Sequence, residues 1–221
     1  MNMKTKGKEI GETIFILAYL LFLLIISIAF FQNKKYYFLI MSLTLAVGDA
    51  IHLIPRTIKN IKGDFKNSDF YLGFGNQASS ITMSIFYLFL TYFFITFNED
   101  LNSFFDSFMY MFNSFSLYNI VIYLVIIRII LCLLPQNNWY KKKSSQKWAI
   151  IRNIPFVVIG IISVILAFKN SLVYLGILIL LSFLFYIPVV LFARKNKKIG
   201  MLMIPKTICY ILIILYLFNR I

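Results

Sequence analysis

Seven apolar runs, each about as long as a bilayer is thick, take up almost the whole chain. A stretch of about 20 apolar residues crosses the hydrocarbon core as a helix, and the runs predict helices over roughly 12–31, 36–58, 77–97, 116–135, 148–168, 172–192 and 199–218. The least marked boundary is Lys169-Asn170-Ser171, between the fifth and sixth. With 221 residues so used, no soluble domain fits beside the bundle. The expected fold is therefore all-α: a polytopic membrane bundle of seven transmembrane helices in one domain over 1–221. Composition agrees, since 61% of residues are apolar and only 14% charged, against about a quarter charged in ordinary soluble domains.

The net charge of +14 would suggest nucleic acid in a soluble protein. Here most basic residues sit in short connections, where they set topology and meet anionic headgroups, so membrane lipids and not nucleic acid are the expected partners. Fifteen of the 22 Lys and Arg fall on one side: the N-terminus, Arg56 to Lys66, Lys141 to Lys147, and Arg194 to Lys198. The other side has four: Lys34, Lys35, Lys169 and Arg220. The positive-inside rule then predicts a cytoplasmic N-terminus, an outer C-terminus and a multi-pass protein of the cell's inner (cytoplasmic) membrane. Lys4, Lys6 and Lys8 before the first run resemble a signal peptide, but the run ends in Phe30-Phe31-Gln32 with no small-residue cleavage site, so a retained helix is expected. The outer connection from Asn98 to Phe115, with Glu99, Asp100 and Asp106 among Phe and Met, reads as an interfacial segment or a plain covering loop.

Ionisable groups at membrane depth are costly and mark pathways or sites. Asp49 is the one acid deep in a predicted helix; the single histidine, His52, follows at three residues and Arg56 four later, all on one stripe. Arg128, Arg152, Asn153, Tyr186 and Lys206 fall in the same cytoplasmic half, as do Ser80, Ser84 and, one turn further, Tyr87. The outer half is nearly pure Leu, Ile, Phe and Val. These residues predict a basic, cytoplasm-facing cavity for an anionic amphiphile. Plainer roles compete: Arg152 can snorkel, Arg128 or Lys206 can pair with Asp49, and the hydroxyls of the third helix can bond their own backbone.

No metal and no cofactor are expected, because Asp49 and His52 are too few ligands for a catalytic zinc. Cys132 and Cys209, both inside apolar runs, suggest neither a disulfide nor a metal site. A serine triad lacks a nucleophile-elbow sequence. The economical chemistry is a metal-free acid–base pair, with Asp49 as proton donor and His52 as partner or water activator.

Four segments resemble the motifs of an uncharacterised bacterial family of seven-helix membrane proteins. They are Gly48-Asp49-Ala-Ile-His52-Leu-Ile-Pro55-Arg56, Gly73 through Tyr87, Arg152-Asn153-Ile-Pro155-Phe156, and Gly200 through Thr207. More distantly, Gly48-Asp49 followed by a Gly-containing loop and a helix ending near Phe86-Tyr87 resembles the YhhN-like lysoplasmalogenases. That resemblance implies cleavage of the vinyl-ether bond of a lysophospholipid, with carry-over limited to Gly48 and Asp49. Such enzymes usually have eight helices and a second, late acidic motif, whereas Lys206 is the one charge in the last helix here. Two functions stay open from sequence: a metal-independent lysolipid hydrolase, and a proton-coupled transporter or sensor of an anionic solute or lipid.

Overall fold

A computed structural model describes residues 3–98, 117–141, 144–193 and 195–220. Among these the chain is all helical, with seven α-helices and no strand. The helices are α1 (Met3–Gln32), α2 (Tyr36–Lys62), α3 (Ser68–Asn98), α4 (Leu117–Leu133), α5 (Gln146–Lys169), α6 (Val173–Phe192) and α7 (Met203–Asn219). Short 3-10 helices lie at Pro135–Asn137 and Lys197–Leu202. Six helical segments are long and apolar enough to cross a membrane, which makes this a multi-pass membrane protein. The fourth helix differs from the expected 116–135. Its 17 described residues span about 25 Å, short of a hydrocarbon core of about 30 Å. The interfacial segment expected at 98–115 lies outside the described residues, apart from Asn98 at the end of α3.

The chain forms two compact units, residues 1–86 with 132–145, and residues 87–131 with 146–221. In the first unit α1 and α2 make an antiparallel hairpin. Its turn is set by Lys34 in the left-handed region, with the Lys34 and Lys35 amides donating to Phe31 and Phe30 carbonyls. The register then holds along the pair: Phe30 stacks on Phe38, Ser27 bonds Ser42, Tyr19 bonds Asp49, and Glu12 meets Arg56. The inward stripe of α1 is Ile16, Tyr19, Leu23, Ile26 and Phe30, all buried at spacings of three and four. Its opposite face, Ile14, Leu17, Leu21, Leu24 and Ile28, is exposed, as a lipid-facing helix requires.

The third helix starts at Ser68, nine residues before the expected boundary of 77. Residues 68–76 lack the hydropathy of a span but have something to pack on, the segment that follows α4. Phe70 stacks on Tyr140 at 4.9 Å. A Cβ on Gly73 would sit 2.0 Å from the Trp139 carbonyl oxygen, so only glycine allows this approach. Gln77 Nε2 and Trp139 Nε1 both donate to the Cys132 carbonyl, at 3.2 and 2.8 Å, and Tyr140 donates to Gln77 Oε1 at 2.7 Å. These bonds satisfy a carbonyl left open at the C-terminus of α4.

In the second unit the expected break at Lys169-Asn170-Ser171 is a tight turn, with Ser171 left-handed and the Leu172 amide donating to Ala167. Asn170 Nδ2, buried there, donates to the Phe94 carbonyl at 3.0 Å. The interior is aromatic: Phe156 meets Tyr87 and Tyr186 edge-on, and Phe183 packs on Phe156 and Tyr87.

Candidate functional site

In the first unit the site is built around Asp49. Tyr19 donates its hydroxyl to Oδ2 at 2.6 Å, and Ser79 donates to Oδ1 at 3.1 Å. One carboxylate therefore ties α2 to α1 and to α3. Two glycines make this approach close. A Cβ on Gly48 would lie 1.8 Å from Thr82 Oγ1, and one on Gly75 would lie 2.6 Å from the His52 Cα and the Ile51 carbonyl oxygen. Small residues let membrane helices come near enough for short polar side chains to reach across. His52 thus sits where the α3 backbone presses on α2. One turn further Arg56 pairs with Glu12 at 2.6 Å, in a half-exposed ion pair.

The helix-3 hydroxyls divide. Ser79 faces Asp49, whereas Ser80 donates to the Asn76 carbonyl and Ser84 to the Ser80 carbonyl, within their own helix. Thr82 likewise donates to the Ser79 carbonyl.

The second unit gathers the basic residues against rings. Arg128, 1% exposed, places its guanidinium carbon 3.4 Å from the centre of the Phe156 ring. Lys206, 9% exposed, has Nζ 4.6 Å from the Tyr186 ring centre and 5.3 Å from that of Tyr210. Tyr186 also donates to Asn153 Oδ1 at 2.7 Å, and Asn153 donates to the Ala149 carbonyl at 2.7 Å, which fixes the ring that Lys206 faces. Tyr87 reaches the Tyr210 hydroxyl at 3.4 Å. Arg152 is buried as well, at 9% exposed. Cation–ring contacts of this kind are worth about 2 kcal/mol or more once desolvated. The second unit thus packs buried cations against aromatic rings.

Of the residues expected from sequence, the structure gathers Tyr87, Arg128, Asn153, Tyr186 and Lys206 in one aromatic-lined cluster of the second unit. It places Asp49, His52, Arg56, Ser80 and Ser84 in the first. Sequence reasoning missed Tyr19, Glu12, Phe156 and Tyr210. Tyr19 and Glu12 carried a usable signal, because with Ile16 and Leu23 they form one stripe of α1. Among the described residues no group of three or more His, Cys, Asp or Glu could hold a metal ion. No family model matches this chain, and it is similar to no curated protein and to no solved structure.

Proposed function

We propose that this membrane protein binds an anionic amphiphile and couples that binding to proton uptake and release at Asp49, as a transporter or sensor. The carrying observation is the Asp49 carboxylate bonded by hydroxyls from two other helices, Tyr19 of α1 and Ser79 of α3. Adding a proton turns one acceptor oxygen into a donor and breaks that pattern, so the charge on Asp49 governs the packing of three helices. The Arg128–Phe156 and Lys206–Tyr186 contacts support an anionic head as ligand.

Two connections support the orientation read from the charge count. Tyr140 stacks on Phe70, so the connections after α2 and after α4 meet at one end of the first unit. That end holds Lys59, Lys62, Lys66 and Lys141, and putting it in the cytoplasm requires α4 to cross. Cysteines at Lys62 and Lys141 would then both react with an impermeant maleimide in inverted vesicles and be shielded in intact cells.

The second reading is lysolipid hydrolysis, with Asp49 and His52 as a metal-independent acid–base pair. It is supported by the Gly48-Asp49 resemblance to lysoplasmalogenases and by the clamp of Gly75 on His52. One preparation tests both readings. Protein in proteoliposomes is given lysophosphatidylglycerol and a lysoplasmalogen, with and without a pH gradient, alongside Asp49→Asn. Gradient-driven lipid movement lost in Asp49→Asn supports coupling, whereas aldehyde made only by wild type replaces it with hydrolysis. Neither activity, with unchanged lipid retention in Asp49→Asn, refutes both.

A further inference from the structure

Two cavities of about 260 and 230 Å³ lie between α5 and α6, and both are lined by Val157 and Ile187. They are two stretches of a single groove open along its side. Its α5 edge begins at Ile150 and ends at Ile165, fifteen residues apart, or about 22 Å of helix. One leaflet's share of a bilayer core is about 15 Å, so the groove is long enough for an entire extended acyl chain. Glycine makes room for it. A Cβ on Gly160 would stand 2.3 Å from the Phe183 ring, so that ring folds down onto the α5 backbone where a larger residue would push it outward.

The groove has a polar end. Gln146 Nε2 donates to the Val190 carbonyl at 3.0 Å, which places the start of α5 beside the end of α6. Lys147 continues the α5 stripe of Ile150, Ile154 and Val158 by one turn, and Lys195 lies four residues beyond Leu191 of the α6 wall. Both lysines are exposed. Two exposed cations close in sequence to one end of a groove that is apolar apart from Asn153 and Tyr186 complement a phosphate carrying a hydrocarbon chain.

We infer that the α5–α6 groove is a binding site for one anionic glycerophospholipid of the surrounding bilayer. One acyl chain lies along Val157 and Ile187, and the phosphate sits at Lys147 and Lys195. The neutral branch of the lipid pool is selected against by those two lysines, and the chain is held by shape. The site stands independently of proton coupling at Asp49, which belongs to the other unit. Tyr186 lies in the groove wall and its ring faces Lys206, so an occupying chain passes beside the cation cluster.

The test is native mass spectrometry of the full chain in detergent, titrated with equal phosphatidylglycerol and phosphatidylcholine of matched chains. Wild type is expected to take phosphatidylglycerol first, with a preference of up to about thirtyfold from two lysines at an anionic head. Lys147→Gln with Lys195→Gln removes the preference and keeps the chain. Val157→Trp fills the groove and lowers occupancy by both lipids several-fold, while Ile208→Trp, equally bulky on an exposed face of α7, does not. Equal uptake of the two lipids by wild type overturns the inference, as does full retention in Val157→Trp. The lysine pair lies on the surface and reads the head group even if the groove variant folds poorly.

Discussion

Replacing Gly75 by Ala is a sharp test of how the Asp49 centre is held. The new Cβ would stand 2.6 Å from the His52 Cα and the Ile51 carbonyl oxygen, both backbone, so no side chain can swing aside. Restoring an ordinary contact of about 3.4 Å needs α2 and α3 to part by about 0.8 Å. The same displacement would stretch the 3.1 Å Ser79–Asp49 bond to about 3.9 Å, past hydrogen-bonding range. Overpacking of this kind costs about 1–3 kcal/mol, and a chain of this size loses about 2–4 °C in Tm per kcal/mol. Gly48→Ala is the informative partner, because its clash at 1.8 Å is with the Thr82 side chain and can be relieved by Thr82→Gly. The assay is thermal unfolding in detergent, with a double-mutant cycle between Gly48→Ala and Thr82→Gly, which cancels the helix-propensity cost of the new glycine. The expected coupling is favourable by at least about 1 kcal/mol, and an infrared carboxylate band should shift in Gly75→Ala. A Gly75→Ala protein that melts with wild type and keeps the band would refute the close-approach argument, and so would a cycle with no coupling.

Three further outcomes follow from contacts already described. Tyr19→Phe should cost about 1.5–3 kcal/mol, the range for hydrogen bonds to a charged group, and Ser79→Ala less, since its bond is longer; unfolding midpoints of the two variants check the order. Phe156→Leu removes the ring under Arg128 and should destabilise by about 2 kcal/mol or more, with Phe156→Tyr recovering most of it in the same assay. Glu12→Gln should change stability by no more than about 1 kcal/mol, because that ion pair is half-exposed; a larger loss at low and high salt alike would show that the pair is more buried than it stands.

What sequence reveals here follows hydropathy closely and stops where hydropathy stops. The existence of all seven helices, and the break at Asn170-Ser171, could be read because each segment is apolar, and six of them also have the length a bilayer imposes. The start of α3 could not. Residues 68–76 look like a polar connection, and they are helical because Gly73 and Phe70 pack on Trp139 and Tyr140, more than sixty positions away. The same limit applies at the site. Asp49 stands out as a lone acid in an apolar run, and Arg128 and Lys206 as lone cations. Their partners do not stand out, because Tyr19 and Phe156 are rings among 40 Phe, Tyr and Trp residues. Ser79, Ser80 and Ser84 are equivalent in composition, and only the rotation of α3 against α2 decides that Ser79 meets the acid.

The bonds from Gln77 and Trp139 to the Cys132 carbonyl also bear on the order in which the protein is made. Gly73 leaves the ribosome 66 residues ahead of Trp139, and at about 5–20 residues per second that is an interval of about 3–13 s. Through that interval the first turns of α3 can close on α2, where Gly75 meets His52, but not on Trp139 and Tyr140. Phe70 lacks its Tyr140 partner, and Gly73 the Trp139 carbonyl it approaches, until the chain beyond α4 arrives. Helix α3 is therefore finished late, and its first turns are a docking platform that waits for its own downstream sequence.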